Sequence, residues 1–382
     1  MNDLFPILDA IPRLCAPAVL ATLVRVDGSS FRRPGARMLI TPDQHRVGSI
    51  TGPCLETEIA RQAASLAPDS HPVLLTYDTA REDDALFGYG LACPGMLHIL
   101  LEPLDPAHEP PYLSYLRESL SGGQTVALAT VYAMQGPAPL EVGSRLMLRS
   151  DDVAMSGVWP ADLAAPVIDA AQKSLQTSQS VTTVLDYREC SLSIFMEIIR
   201  APARLFIFGA TDPAGPLVRL AKELSWHVTL HDRRPAYADP ARFPQADEIL
   251  ACPVADLLPE LLITDRSAAV IMTHNYPDDL ALLSLLLTTP IAYIGLLSSR
   301  QRAQKLIHDL AQRATALAPG QLARLHAPVG LDIGAESPPE IALSILAEIQ
   351  AALSARSAQP LRTLNTPIHD RGPGQSDHLP SQ

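Results

Sequence analysis

Two hydrophobic periodicities alternate along the chain. Apolar runs of strand length occur at 19–26, 38–41, 73–77 and 96–101, and between the second and third of them Leu55, Ile59, Ala63 and Leu66 recur at helical spacing. The pattern predicts an α+β unit over residues 18–104 with one helix near 55–66. Residues 126–200 repeat this unit. Ala21-Thr22 matches Ala129-Thr130, Gly35-Ala36-Arg37-Met38-Leu39 matches Gly143-Ser144-Arg145-Leu146-Met147, and Asp78 matches Asp186, every pair 108 positions apart. A register held over so many positions reads as an internal duplication.

From residue 203 the rhythm changes. Apolar strands at 204–208, 228–231, 268–273 and 291–294 alternate with helical patterns at 216–224, 279–287, 300–310 and 340–353, which implies a parallel sheet covered on both faces. The expected fold class is therefore α/β, with an N-terminal duplicated α+β domain (residues 1–200) followed by a Rossmann-like doubly wound parallel-sheet domain (201–355). Residues 356–382, rich in Pro, Ser, Gln, His and Gly, read as a disordered tail.

Composition narrows the function. The 382 residues are 47% hydrophobic and 18% charged, a globular balance, and a net charge of −12 argues against general affinity for nucleic acid or an anionic membrane surface. Small molecules or proteins are the expected partners. Five cysteines, an odd number spread without Cys/His ligand spacing, suggest neither a disulfide framework nor a zinc module. Asp3, Asp9 and two early prolines stand where a signal peptide wants basic and unbroken apolar residues, and no apolar run is long enough for a bilayer, so a cytoplasmic protein is expected.

Candidate chemistry concentrates in the first copy. Gly48-Ser49-Ile50-Thr51-Gly52-Pro53-Cys54-Leu55-Glu56 puts Cys54 within the first turn of the predicted helix, where unpaired N–H groups and the helix dipole favour an anionic sulfur. Cys54 is then a nucleophile or soft-metal ligand; the competing reading is a small apolar packing residue. The second copy has Pro160-Ala161-Asp162 in its place, and Cys93, in the loop Gly88-Tyr89-Gly90-Leu91-Ala92-Cys93-Pro94-Gly95, has no counterpart. Packing cysteines would more naturally persist in both copies.

The third region carries a damaged dinucleotide turn. The strand at 204–208 runs into Gly209-Ala210-Thr211-Asp212-Pro213, and the next ends at Asp232, 23 positions after Gly209. Gly209 and Asp232 fit the fingerprint for a tight turn and a ribose ligand, whereas Thr211 crowds a pyrophosphate and Pro213 lacks an N–H donor. Later strand ends carry Thr273-His274-Asn275, Gly295-Leu296-Leu297-Ser298-Ser299-Arg300 and Gly330-Leu331-Asp332-Ile333-Gly334-Ala335. Ser298, Ser299 and Arg300 read equally as a phosphate cradle or a helix cap, and His274 as a ligand or a satisfied polar residue.

Four stretches, Gly28-Ser29-Ser30-Phe31-Arg32-Arg33-Pro34-Gly35-Ala36-Arg37-Met38, the Gly48 to Glu56 run, Tyr293-Ile294-Gly295-Leu296-Leu297-Ser298-Ser299-Arg300 and Pro328-Val329-Gly330-Leu331-Asp332-Ile333-Gly334-Ala335, resemble the XdhC/CoxI family. That resemblance implies a cytoplasmic accessory protein that binds the molybdenum cofactor, as molybdopterin or its dinucleotide form, and protects it during sulfuration by a cysteine desulfurase. It then passes the cofactor to a molybdenum hydroxylase apoenzyme. A homodimer is left open. On this reading Cys54 and Cys93 supply sulfur contacts, with Cys54 as the metal ligand. Ser29, Ser30, Arg32, Arg37, Gly52 and Glu56 line the cofactor, and Gly209, Asp232, His274, Gly295, Ser298, Ser299, Arg300 and Asp332 hold its tail. Arg37 has a twin in Arg145, so a structural ion pair competes with its ligand role, and surface dipole compensation competes for Glu56.

Departures from the family pattern are Pro53 before the first cysteine, Ala92 and Pro94 around the second, and Thr211-Asp212 in the nucleotide turn, which leaves NAD(P) a poor fit. The alternative class is an enzyme: a divergent NAD(P)-dependent oxidoreductase, or a sulfur-transfer catalyst using Cys54. A third reading is a scaffold linking desulfurase and apoenzyme.

Overall fold

The computed structural model describes residues 4–79, 95–150, 152–313 and 319–364. It divides into two compact units, 1–200 and 201–368. In the first, helix α1 (Leu4–Ala10) precedes β1 (Ala18–Gly28), β2 (Arg37–Ile40), β3 (Arg46–Gly48), α2 (Pro53–Ala63), β4 (Val73–Asp78) and β5 (Gly95–Leu104). These strands form an antiparallel sheet ordered β3-β2-β1-β5-β4. The second copy repeats it: α3 (Pro111–Ser121), β6 (Val126–Gln135), β7 (Arg145–Arg149), β8 (Asp152–Ser156), α4 (Ala161–Thr177), β9 (Val181–Tyr187) and β10 (Cys190–Ile199), ordered β8-β7-β6-β10-β9.

Each helix covers one face of its own sheet. Leu55, Ile59, Ala60 and Ala63 of α2 pack on Ala21, Leu23, Ile99 and Leu101, and Leu163, Ala164, Val167 and Ala171 of α4 on Ala129, Val131, Leu146 and Ile194. The opposite faces meet through Val24, Leu100, Tyr132 and Phe195. Burial on both sides explains why β1 reads as an almost unbroken apolar run, not an alternating one.

Two ion pairs cross between the copies. Arg37 grips Glu197, its Nη1 donating to Oε1 at 2.8 Å and its Nη2 to Oε2, while Arg145 Nη2 donates to both oxygens of Glu102 at 2.7 and 2.6 Å. All four residues are at most 5% exposed. Each copy thus contributes an arginine and accepts one.

The second unit is a six-stranded parallel sheet: β11 (Arg204–Phe208), β12 (His227–His231), β13 (Glu248–Leu250), β14 (Ser267–Ile271), β15 (Tyr293–Leu296) and β16 (Leu325–His326), ordered β13-β12-β11-β14-β15-β16. In order of appearance this is 3-2-1-4-5-6, the Rossmann arrangement. Helices α5 (Ala214–Glu223) and α9 (Pro338–Leu353) cover one face, α6 (Tyr276–Leu287) and α7 (Arg300–Arg313) the other, and α8 (Pro319–Leu322) precedes β16. Helix α5 begins at Ala214, two residues before its expected start. Leu361–Thr363 form a 3-10 turn, so this part of the expected disordered tail is ordered. The remainder, 365–382, lies outside the described residues. Among the described residues no helix is long and apolar enough to cross a membrane.

Candidate functional site

Strand direction gathers the first copy's motifs at one pole of its sheet. β1, β3 and β4 end there and β2 and β5 begin there, so the 29–36 loop, the 49–52 turn into α2, and Thr79 and Gly95 share that edge. The 29–36 loop is held by Leu23 N–H to Ala36 O (2.9 Å), Gly35 N–H to Leu23 O (2.8 Å) and Ala36 N–H to Arg33 O (3.0 Å). It presents Ser29 and Phe31 to solvent, with Ser30 and Arg32 half-buried. Thr79 Oγ1 donates to Gly95 O at 2.7 Å and accepts from Gly95 N–H at 3.0 Å. Gly95 must be glycine, because a Cβ there would lie 2.4 Å from Ser29 O. Cys93 and its loop lie outside the described residues.

Cys54 is the second residue of α2, exposed and free of any disulfide. Gly52 is the N-cap and offers no side-chain cap, and Pro53 has no N–H. Two residues assigned to the ligand serve the scaffold instead. Arg37 is buried and committed to Glu197 and to Gly35 O. Glu56 folds back over the turn, its Oε1 accepting from Ser49 Oγ (2.7 Å), Ile50 N–H (2.9 Å) and Thr51 N–H (3.1 Å). It therefore shapes the approach to Cys54.

The same pole of the second copy carries a carboxylate in place of the thiol. Asp162, the counterpart of Cys54 in α4, accepts from Tyr187 Oη at 3.0 and 2.9 Å and from Arg188 at 3.2 Å. A two-residue turn, Arg188-Glu189, joins β9 to β10 where the first copy inserts residues 80–94. Sequence reading also missed a chain unique to the first copy: Thr76 Oγ1 lies 3.2 Å from His98 Nδ1, and His98 Nε2 lies 3.3 Å from Asp27 Oδ2. The counterparts Val184, Ser193 and Gln135 cannot form it, which was the available signal. Among the described residues no group of three or more His, Cys, Asp or Glu side chains is placed to hold a metal ion.

In the second unit all strand ends bearing motifs fall on the carboxyl edge of the sheet, where α/β folds bind ligands. Gly209 is required: its φ is +112°, and a Cβ would lie 2.6 Å from Met272 O. Part of the phosphate grip, however, is used within the turn. Ala214 N–H and Gly215 N–H donate back to Thr211 O (3.0 Å) and Asp212 O (3.3 Å), and Pro213 has none. Asp232, the expected ribose ligand, is also engaged. Its Oδ2 accepts from Ala210 N–H (3.0 Å) and Arg234 Nη2 (2.8 Å), and its Oδ1 from Arg234 N–H (3.0 Å) and Nε (2.9 Å). Burial alone would raise this carboxyl's pKa; Arg234 and the backbone donors more than offset that and hold it below the ordinary range. Asp232 is thus already engaged where a ribose would bind, while Thr211 Oγ1 in the turn is buried without a hydrogen-bond partner among the described residues.

A small cleft of about 40 Å³ is lined by Gly209, His231, Asp232, Arg234, Thr273 and Asn275 among others. His274, Ser298, Ser299, Arg300 and Asp332 are not in its lining. His274 is exposed with φ +58°, and Ser299 Oγ caps α7 by accepting from Arg302 N–H at 3.3 Å. Gly295 is buried, and a Cβ there would meet Val329 at 2.5 Å. Asp332 is exposed on a loop tied to α9 by Ser344 Oγ to Leu331 O (2.6 Å) and Gly330 N–H to Glu348 Oε2 (2.7 Å).

Fold and site together define a class: a duplicated α+β unit with a thiol-bearing pole, followed by a Rossmann-type unit whose nucleotide turn carries Thr211-Asp212-Pro213. Comparison gives the class its family. The chain belongs to the XdhC and CoxI family, whose model matches residues 15–78 and 119–188, and the XdhC Rossmann domain matches 205–349. It is 31% identical over 349 residues to a probable xanthine dehydrogenase subunit of Bacillus subtilis (strain 168), covering 91% of this chain and 97% of that protein. The crystal structure of a xanthine dehydrogenase from Bacillus halodurans is similar with a TM-score of 0.73 at 30% identity, covering 94% of this chain and 98% of that one. The Escherichia coli (strain K12) protein YqeB is 32% identical over 183 residues, 48% of this chain and 32% of its own length.

Proposed function

We propose that this protein serves the maturation of a molybdenum hydroxylase of the xanthine, aldehyde or carbon monoxide dehydrogenase type. The pole of the first copy holds the molybdenum cofactor as cargo, shelters it during sulfuration by a cysteine desulfurase, and releases it to the apoenzyme. The observation that carries this reading is the contrast between the copies: an exposed thiol at the start of α2, where the second copy has Asp162 hydrogen-bonded by Tyr187 and Arg188. A cargo with a sulfur-bound metal and anionic groups needs a soft ligand beside hydroxyl and guanidinium donors. Cys54 supplies the first, Ser29, Ser30 and Arg32 the second, and the positive end of α2 adds to the attraction. Arg37 and Glu56 hold the frame. Membership of the family and similarity to the Bacillus subtilis protein support the partner class.

Protein purified anaerobically from hosts with and without cofactor synthesis tests this, by release and oxidation of bound pterin and its fluorescence. Near-stoichiometric pterin that falls in Cys54→Ala is expected. A folded protein from a competent host without pterin would end the proposal. The exposure of Cys54 also favours a persulfide carrier, distinguished by desulfurase-dependent sulfur label lost in the same variant.

A further inference from the structure

Strand β9 is a margin of the second sheet: it pairs with β10 on one side and with no described strand on the other. An open edge of this kind is a template for another strand, and native proteins guard it with brevity, Lys, Pro, a bulge or a covering element. Here β3, β13 and β16 are only two or three residues long, and α1 lies beside β3 and α3 beside β8. β4 leads into residues 80–94, outside the described residues. β9 is different. It runs Val181-Thr182-Thr183-Val184-Leu185-Asp186-Tyr187, mostly β-branched, without Lys, Pro or a bulge against β10.

The turn after β9 fixes which backbone groups point outward. Arg188-Glu189 is a two-residue hairpin loop, so Tyr187 and Cys190 at its neck form a hydrogen-bonded pair. Alternation along an antiparallel ladder then turns the N–H and C=O of Val181, Thr183 and Leu185 toward β10, and those of Thr182, Val184 and Asp186 outward. The outward groups have no hydrogen-bond partner among the described residues. Their side chains share one exposed face, with Val184 57% accessible, and those of Thr182 and Asp186 are likewise unpaired among the described residues.

We infer that β9 is a homodimer surface, pairing antiparallel with the same strand of a second copy about a twofold axis at Val184. In this register Val184 meets the partner's Val184, and Thr182 stands opposite the partner's Asp186. Thr182 Oγ1 can then donate to that carboxylate, and no like charges are opposed. It is the one register that sets all three outward residues of each chain against all three of the other, for about six backbone hydrogen bonds. A strand that is its own antiparallel complement fits a second copy better than an unrelated segment. The product is a single sheet continuous across two chains. A strand pair alone buries less than the roughly 1,200–2,000 Å² of a stable interface, so a micromolar dissociation constant is expected. The inference does not depend on what the pole of the first copy carries.

Sedimentation equilibrium of the full-length protein from the micromolar to the millimolar range should show reversible dimerisation. Over the same range, hydrogen exchange at the Thr182, Val184 and Asp186 amides should slow by about tenfold or more, while Thr183 and Leu185, already bonded to β10, hold steady. Val184→Lys puts two ammonium groups on the axis and should weaken association by about tenfold or more. Should that variant fail to fold, the concentration dependence of exchange in the wild type decides the matter alone. A protein that stays monomeric throughout overturns the inference. So does a dimer that tolerates Val184→Lys or leaves the three outward amides exchanging as in dilute solution, a result that would move the interface to another surface such as β8.

Discussion

Replacing Arg37 with Met tests whether the crossed ion pairs hold the first unit together. Arg37 and Glu197 are 5% and 2% exposed, and removing the guanidinium strands a carboxylate where water cannot reach it. Burial alone would loosen the guanidinium's proton, yet Glu197 raises its pKa overall, so the pair stays ionised. Breaking one partner of such a pair costs about 3–5 kcal/mol, whereas replacing both with apolar residues of similar volume is often close to neutral. Arg37→Met should therefore be severe and Arg37→Met/Glu197→Met much milder, a coupling of about 3 kcal/mol. Arg145→Met should cost as much or ~1–2 kcal/mol more, since Arg145 also lies 3.8 Å over the Tyr112 ring. The chain has two tryptophans, Trp159 in the first unit and Trp226 in the second. Denaturant unfolding followed by Trp159 fluorescence in a Trp226→Phe background reads the first unit alone. A single-variant cost below ~1 kcal/mol, or additive costs in the double variant, would refute the argument.

Three further outcomes are expected. Glu56→Ala should release the 49–51 turn, raising hydrogen exchange at the Ile50 and Thr51 amides by about ten- to a hundredfold while leaving the sheet amides unchanged. Gly209→Ala should destabilise the second unit by about 2–4 kcal/mol, because it combines a positive φ with a 2.6 Å approach to Met272 O, and calorimetry will show it as a lowered Tm. Burial would raise the Glu348 carboxyl, but Tyr293 Oη, Gly330 N–H and His326 together hold its pKa below the ordinary range. Its stabilisation is therefore present above the unfolded-state pKa and lost as pH falls through the folded one. Glu348→Gln should flatten the acid limb of the second unit's stability profile below about pH 5.

The frame of both units was legible because buried strands and amphipathic helices leave strong local periodicities. The Rossmann order follows from strands alternating with helices, and Gly209 marks its first turn. Other features depend on residues far apart in sequence. The 108-residue register ends where β4 meets the 80–94 insertion; from β5 onward the offset is 95, as Gly95 and Cys190 show, so Glu102 and Glu197 could not be matched as twins. Arg37 looked like a ligand because its partner lies in the other copy. Short edge strands such as β3 and β13 carry too few residues to show a period, and the seven-residue α1 was not read for the same reason of brevity. The engagement of Asp232 by Arg234 is a matter of rotamer, which spacing does not encode.

Arg37 and Glu197 are 160 residues apart. At ~5–20 residues per second, the ribosome needs roughly 8–32 s to supply the second after the first. Through that interval the nascent first copy carries a cation at the heart of a surface it cannot close. Glu102 waits less long for Arg145. The first half of the unit must therefore wait for the last strand of the second, and a transcript truncated before β10 would yield a chain with its thiol pole encoded but no closed sandwich to mount it on.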